Sequence, residues 1–259
     1  MVIKWKVDFP TPVGKETRLA YIYLPRYYKF SLDKRYPVLY MFDGQNVFFD
    51  STASYGKSWG MKSFLDHTRT DVIVVAVECN KSPKNYRLNE YCPYDFEDAK
   101  WGHFEGFGRQ TMDWYVKVLK KRIDKAFRTL PDRDHTYIAG SSMGGLMSLY
   151  ALTEYNDYFC AAAALSPSLW TDFEQISSIV ENSELHENTR LYMDYGVNEF
   201  NNHDDMRAMF NQMTYLLLEK KVNLTSRIVP GGEHSEACWE EQVPVFMHVL
   251  QYEGFWNKQ

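Results

Sequence analysis

One stretch of the chain decides the fold: Thr136-Tyr-Ile-Ala139, then Gly140-Ser-Ser-Met-Gly-Gly145, then Leu146-Met-Ser-Leu-Tyr-Ala-Leu152. The first segment has the composition of a buried strand and the last that of a helix, so the Gly-x-Ser-x-Gly pattern between them falls on a strand-to-helix turn. Such a turn projects a serine hydroxyl, and its glycines avoid collisions with neighbouring strands. Ser142 has a glycine two residues before and two residues after it, whereas Ser141 is out of register. We therefore predict that Ser142 is a nucleophile.

Around this turn, apolar segments of strand length alternate with longer amphipathic segments. The run Val72–Val77 is continuously apolar, as in strands that are buried on both faces of a parallel sheet. The two N-terminal strands, joined by a Thr-Pro-Val-Gly-Lys turn, predict an antiparallel hairpin at one edge. Asn80–Gly108 shows no periodicity and is predicted to be a long functional loop. The pattern predicts an α/β-hydrolase fold with a mostly parallel central sheet and helices on both faces.

The segments can be assigned individually from their length and periodicity. The predicted strands are Ile3–Phe9, Arg18–Leu24, Pro37–Asp43, Val72–Cys79, His135–Gly140, Cys160–Ser166, Arg190–Tyr195 and Leu224–Val229. The predicted helices are Met112–Phe127, Leu146–Glu154, Phe173–Val180, Asp204–Lys220 and Ala237–Tyr252.

Length and composition limit the class of protein. A chain of 259 residues, 45% of them hydrophobic, suits a single domain spanning 1–259. The net charge of −5 is mild and the basic residues are interspersed, so nucleic acid is not an expected partner. The apolar runs are too short to cross a bilayer, and the N-terminus lacks the apolar stretch of a secretory signal. The four cysteines have no CxxC spacing, which predicts reduced thiols and a cytoplasmic location.

A nucleophilic serine needs a histidine base that is oriented by a carboxylate. His234 follows the predicted strand Leu224–Val229 on a Pro-Gly-Gly-Glu-His-Ser loop, at the sheet edge where the serine turn also opens. Its position predicts that it is the general base. The acid should follow the preceding strand, where Glu199 lies just past the strand end and Asp194 lies within it. Glu199 is preferred for this reason, and Asp194 stays the alternative.

The tetrahedral intermediate of acyl transfer needs two N–H donors. One is predicted to be the backbone N–H of Met143, directly after the nucleophile. The other is predicted to be the N–H of Gln45, in the loop Asp43-Gly-Gln-Asn46 that follows an earlier strand. Gly44 permits the tight turn that this loop requires.

Taken together, these segments resemble the putative esterase family. The resemblance is carried by Val38–Asp50, Trp59-Gly60, Gly140–Gly145, Tyr195–Glu199 and His234, and it extends from about Arg18 to about Val249. That family includes acetyl xylan and feruloyl esterases, which are family 1 carbohydrate esterases, together with siderophore esterases, S-formylglutathione hydrolases and mycolyltransferases.

The resemblance implies roles for individual residues. Ser142, Glu199 and His234 correspond to the triad of the family, and the N–H groups of Gln45 and Met143 correspond to its oxyanion hole. Some siderophore esterases of the family work with a Ser–His pair alone, which leaves the contribution of Glu199 open.

The predicted activity is that of a serine carboxylesterase that forms an acyl-enzyme and requires no metal or organic cofactor. An acylated carbohydrate or an aryl ester is the preferred substrate, since aromatic residues are available as stacking walls. These candidate substrate-binding residues are Trp59, Tyr91, Trp101, Phe104 and Trp170. A siderophore esterase is the alternative, with Arg87 and Arg109 as the nearby cations for acidic catechols, and an acyltransferase on the same fold is another. The oligomeric state is not predicted.

Overall fold

An eight-stranded sheet forms the centre of the protein. The structure is a computed structural model, and it describes residues 1–12, 14–82, 84–100, 102–199 and 203–252. Its strands are, in chain order, β1 (Val2–Thr11), β2 (Gly14–Tyr23), β3 (Val38–Met41), β4 (Ile73–Val77), β5 (Phe96–Asp98), β6 (Gly102–Phe104), β7 (Thr136–Ser141), β8 (Ala161–Leu165), β9 (Arg190–Gly196) and β10 (Asn223–Val229). Strands β5 and β6 form a separate antiparallel hairpin.

The central sheet has the order β1-β2-β4-β3-β7-β8-β9-β10. Strand β2 pairs antiparallel with both β1 and β4, whereas the pairs from β4 to β10 are parallel. Along β3, Val38 and Tyr40 face one hydrophobic core, and Leu39 and Met41 face the other. Burial on both faces explains the continuous apolar runs. The predicted mostly parallel sheet with an N-terminal antiparallel edge hairpin is confirmed.

Helices cover both faces of this sheet, as predicted. They are α1 (Met61–Thr68), α2 (Arg87–Glu90), α3 (Gly108–Trp114), α4 (Lys120–Ala126), α5 (Met143–Glu154), α6 (Phe173–Asn182), α7 (His203–Glu219) and α8 (Glu236–Leu250). Helices α1 and α8 contribute to one hydrophobic core, and α3 to α7 contribute to the other. A π-helical segment, Tyr115–Leu119, joins α3 to α4, so the single helix predicted at Met112–Phe127 begins at Gly108 instead.

Small residues let two helices approach the sheet near its carboxyl edge. Strand β8 reads Ala161-Ala-Ala-Ala-Leu165, and α5 and α8 both pack against it. A Cβ atom on Gly145 would lie 2.6 Å from the Leu165 carbonyl oxygen. The start of α5 therefore lies directly on the end of β8, and this contact fixes the turn that carries Ser142.

Two parts of the chain differ from the prediction. Helix α1 was not predicted; it is only eight residues long, and two of its residues, Met61 and Leu65, are buried. The segment predicted as a structureless loop contains α2 and the hairpin β5–β6. Two backbone hydrogen bonds close it on itself, from Phe107 to Asn89 at 2.8 Å and from Gly108 to the Cys92 carbonyl at 2.7 Å. Pairings of this kind leave no periodic signal in a sequence.

Candidate active site

Ser142 lies at the turn between β7 and α5 with φ 59° and ψ −123°, a conformation that side-chain-bearing residues rarely adopt. The turn is tight, because a Cβ atom on Gly140 would lie 2.6 Å from the Gly144 carbonyl oxygen. The Ser142 N–H donates to the Leu165 carbonyl at 2.9 Å. Its hydroxyl lies 3.4 Å from that of Ser168. The serine is thus held in strained backbone at the carboxyl edge of the sheet, where sequence analysis placed it.

His234 and Glu199 are in contact at the same edge of the sheet. His234 follows β10 and Glu199 follows β9, and Nδ1 of the histidine lies 3.0 Å from Oε2 of the glutamate. The other carboxylate oxygen accepts the Ser166 hydroxyl at 2.6 Å and the Gly196 N–H at 2.7 Å. The glutamate is buried and the histidine half-buried. A carboxylate facing Nδ1 favours the tautomer in which Nδ1 carries the proton and Nε2 is the basic nitrogen.

Asp194, the alternative acid, points into different surroundings. Its carboxylate accepts the Ser166 N–H at 3.1 Å and the Tyr192 hydroxyl at 2.6 Å. Burial raises the pKa of Asp194 to about 7. The carboxylate that touches His234 is therefore that of Glu199.

The loop that carries Gln45 is held closely against the end of β4. Asp43 has φ 53°, and Gly44–Asn46 forms one turn of 3₁₀ helix. A Cβ atom on Gly44 would lie 2.4 Å from the Ala76 carbonyl oxygen, so this position requires glycine. The Gln45 side chain accepts the Cys79 N–H at 3.3 Å and donates to its sulfur at 3.2 Å. Since Gln45 and Met143 both lie in the first turn of a helix, their N–H groups have no acceptor within it.

Arg87 connects this loop to the serine turn. Its guanidinium makes two hydrogen bonds to the Asp43 carboxylate, at 2.6 and 2.7 Å, and a third to the Ser141 carbonyl at 3.5 Å. The Tyr91 hydroxyl accepts the Asp43 N–H at 3.3 Å. The sequence suggested Arg87 as a cation for an acidic substrate. In the structure this charge is paired with the Asp43 carboxylate of the protein.

Two of the predicted stacking residues are buried. Trp59 is 4% exposed and packs against Trp239 and Phe246. Tyr91 is 1% exposed and packs edge-on against Phe42. Their predicted role as walls of a substrate cleft is corrected, since neither ring presents a face to solvent. They are core residues beneath the loops of the site.

A third aromatic residue is exposed. Trp170 is 39% exposed, lies two residues after Ser168 and packs edge-on against Phe96 of the hairpin. Phe96 is stacked on Phe104, which is buried rather than open to a ligand. Trp101, also predicted to bind substrate, lies outside the described residues.

Residues that sequence analysis did not identify also surround the site. Ser166, with φ 44°, contacts Glu199 through its hydroxyl, and the Trp239 indole N–H donates to that hydroxyl at 2.9 Å. Glu236 accepts a hydrogen bond from Asn46 at 3.1 Å, and burial raises its pKa. A helix start was recognisable at His-Ser-Glu, where Ser235 caps α8. The contacts of these side chains depend on partners far away in sequence.

Within the ranges given above, no group of three or more His, Cys, Asp or Glu side chains is arranged to hold a metal ion. Among the same residues, no helix combines the length and the apolar character needed to cross a bilayer. The four cysteines are free thiols, three of them buried.

The mostly parallel sheet, with a strained serine between a strand and a helix, is that of an α/β hydrolase, as predicted. A family model described as "Putative esterase" matches residues 13–248, and the chain belongs to this family. The protein is therefore a carboxylic ester hydrolase.

Individual proteins of similar sequence or structure were also found. The chain is 24% identical over 182 residues to the uncharacterized protein YbbA of Bacillus subtilis, covering 69% of this chain and 67% of the relative. An IroE-like serine hydrolase from Shewanella oneidensis has a TM-score of 0.75 at 22% identity, covering 96% and 80% of the two chains. A ferulic acid esterase has a TM-score of 0.70 at 18% identity, covering 96% and 97%. At these identities the two structures show the shared fold.

Proposed function

We propose that the protein hydrolyses carboxylic esters through Ser142, His234 and Glu199. The observation that carries this proposal is the 3.0 Å contact between Glu199 and His234, at the sheet edge that also holds Ser142 in strained backbone. In the proposed arrangement the Glu199 carboxylate orients the His234 imidazole and stabilises its charged form, and the imidazole acts as the base for the Ser142 hydroxyl.

Acylation begins when the Ser142 oxygen attacks the ester carbonyl carbon. As the new C–O bond forms, Nε2 of His234 takes the hydroxyl proton, and the carbonyl oxygen becomes an oxyanion held by the N–H groups of Gln45 and Met143. The imidazolium is stabilised by the Glu199 carboxylate. His234 then gives its proton to the departing alcohol oxygen as the ester C–O bond breaks.

Deacylation repeats these proton transfers with water as the nucleophile. His234 takes a proton from water while the water oxygen attacks the acyl carbon. The proton then passes to the Ser142 oxygen as the acyl group leaves as a carboxylic acid. An alcohol in place of water would give acyl transfer, so analysis of the products in the presence of a sugar acceptor distinguishes hydrolase from transferase.

The substrate we propose is an uncharged acylated sugar or aryl ester, of the acetyl or feruloyl type. Trp170 supports this, because its exposed ring lies two residues from Ser168, whose hydroxyl neighbours that of Ser142. Acidic residues occur in and beside the β5–β6 hairpin, which contacts Trp170 through Phe96, and close to Trp170 in the chain, and they disfavour a polyanionic catechol siderophore. They are Asp95, Glu97, Asp98, Glu105 and Asp172. Arg87 offers no unpaired charge to offset them, since it is bound to Asp43.

Burst kinetics with p-nitrophenyl acetate test the mechanism. An acyl-enzyme predicts a burst of nitrophenol equal to the enzyme concentration where deacylation is slow. Ser142→Ala should abolish both burst and turnover, whereas Ser178→Ala, on the exposed side of α6, should leave both unchanged. Full activity in Ser142→Ala would refute the proposal. Acetylated xylo-oligosaccharide, methyl ferulate and a catechol trilactone compared in one panel then test the substrate class, and a preference for the trilactone would overturn it.

A further inference from the structure

A chain of hydrogen bonds leads from Trp239 to Glu199. The indole Nε1 lies 2.9 Å from the Ser166 oxygen, and that oxygen lies 2.6 Å from Oε1 of Glu199. An indole N–H can only donate, so the Ser166 oxygen accepts from Trp239 and its single proton is directed at the carboxylate. The three residues are buried, so water is excluded from replacing a lost partner. The direction of both hydrogen bonds, from Trp239 to Ser166 and from Ser166 to Glu199, is therefore determined by the indole donor.

Trp239 also touches the other member of the pair. Its ring packs edge-on against the His234 imidazole, with ring centroids 5.0 Å apart and planes at 83°. Ser235 caps α8, and the helix brings Trp239 back towards the histidine one turn later. One side chain thus contacts the imidazole with its ring and reaches the carboxylate through Ser166.

Ser166 occupies a conformation that is unfavourable for a serine. Its φ of 44° lies in the left-handed region, where glycine is the preferred residue. The hydroxyl has two partners, Trp239 and Glu199, and the N–H donates to Asp194 at 3.1 Å. Strained backbone that persists at a site of this kind is evidence for a role of the side chain.

We propose that Trp239 and Ser166 are positioning residues that together hold Glu199 and His234 in register. This inference rests on the proposed function, but its geometric part can be measured without any substrate. Trp239 fixes the imidazole ring and, through Ser166, the carboxylate rotamer. Loss of either side chain should lower kcat while leaving KM nearly unchanged, because neither residue needs to touch the substrate.

The test compares Trp239→Phe and Ser166→Ala with Trp114→Phe. Trp114 is a matched control, since it is a buried tryptophan with aromatic neighbours in the core on the opposite face of the sheet. With p-nitrophenyl acetate, Trp239→Phe should lower kcat by roughly 3- to 10-fold, the effect of one lost hydrogen bond. Ser166→Ala should lower it by roughly 10- to 100-fold. Because both act through one chain, the double variant should be no worse than Ser166→Ala.

Nitrogen NMR of His234 separates positioning from loss of folding or activity. The side-chain ¹⁵N shifts report the tautomer, which should be the Nδ1–H form in the wild type and in Trp114→Phe. Trp239→Phe and Ser166→Ala should move these shifts towards a mixture of tautomers. Unchanged shifts in both variants, or equal losses of kcat in Trp239→Phe and Trp114→Phe, would overturn the inference. If the wild type hydrolyses no ester, the proposed function fails, while the shifts still decide the positioning.

Ser166→Gly provides a second test if the alanine variant folds poorly. Glycine relieves the left-handed strain, so urea unfolding should occur at no lower concentration than in the wild type. The hydroxyl is lost all the same, and kcat should fall as far as in Ser166→Ala. A glycine variant with wild-type kcat would show that the Ser166 hydroxyl does not position Glu199 for catalysis.

Discussion

Glu199 and His234 are 35 residues apart in sequence, and the loops that carry them are in contact at Gly196 and Gly232. A Cβ atom on Gly196 would lie 2.4 Å from the Gly232 carbonyl carbon, closer than real Cβ atoms come. The Asn198 N–H donates to the Gly232 carbonyl at 2.8 Å. Parallel pairing of β9 with β10 aligns the ends of the two strands. Because Gly196 and Gly232 have no side chains, the loops that follow these strands can come into contact. The contact between the Glu199 carboxylate and the His234 imidazole depends on this close approach of the two loops.

Gly196→Ala should therefore move Glu199 away from His234. A methyl group at this position moves one of the two loops, and a displacement of about 1 Å in catalytic geometry costs about 100-fold in rate. We expect kcat for p-nitrophenyl acetate to fall by that order. Gly56→Asn is the control, because Gly56 lies in open space with φ +74°, which asparagine tolerates. A wild-type kcat in Gly196→Ala would show that the contact between the two loops does not position Glu199 against His234.

Arg87→Lys should loosen the loop Asp43–Asn46, whose Gln45 N–H we propose as an oxyanion donor. Lysine cannot reproduce the two parallel hydrogen bonds to Asp43, so the Gln45 N–H loses its fixed position. Since such donors act on the transition state, we expect kcat to fall by about 10- to 100-fold with little change in KM. Arg122→Lys, at an exposed position on α4, is the matched control and should match the wild type. A rise in KM at constant kcat would instead indicate that Arg87 binds substrate.

Much of the fold could be predicted from the sequence, because it is encoded in local periodicity. The apolar runs of β4 and β8 indicate strands that are buried on both faces. The glycine pattern around Ser142 indicates a tight strand-to-helix turn. Helix α1 and the hairpin β5–β6 could not be predicted in this way. Their residues are stabilised by partners elsewhere in the chain, as in the contact between Phe96 of the hairpin and Trp170.

Some residues of the candidate site could likewise be predicted from the sequence, and others could not. Ser142, His234 and Glu199 follow strand ends, and the order of the strands along the chain brings them to one edge. The hydrogen bonds of Arg87 and Trp239 could not be predicted, since the partners Asp43 and Ser166 lie 44 and 73 residues away. A side chain that is polar or aromatic does not show in sequence whether it faces the substrate or the core. The misassigned Trp59 and Tyr91 illustrate this.

Asp194 should make the stability of the protein fall as the pH rises from 4 to 7. Its folded pKa of about 7 lies above the ordinary value of 3.8, so over this interval the unfolded state loses a proton that the folded state keeps. The contribution is complete below pH 4 and lost above pH 7, with a slope of up to about 1.4 kcal/mol per pH unit. Asp194→Asn removes it. In urea titrations, the free energy of unfolding of this variant should gain on the wild type with rising pH, and a constant difference would contradict the assignment.

Trp170→Ala should affect aromatic substrates selectively. Stacking of an aryl group on an exposed indole contributes about 0.5–1.5 kcal/mol, so KM for methyl ferulate should rise by roughly 3- to 10-fold. Ethyl acetate, which carries no ring, should be hydrolysed as by the wild type. Tyr215→Ala removes another exposed aromatic residue, on α7, and serves as the control. Equal losses on both esters would place Trp170 in the core of the site rather than at its rim.

The central claim is that Ser142 is activated by His234 and Glu199, and the rate of labelling by a fluorophosphonate tests it most directly. Mass spectrometry should place the adduct on Ser142, and the labelling rate should fall by about 10³- to 10⁴-fold in Glu199→Gln. Asp194→Asn should slow labelling far less, because its carboxylate bonds to Ser166 and Tyr192. An adduct on another serine, or a rate that depends on Asp194 and not on Glu199, would contradict the account.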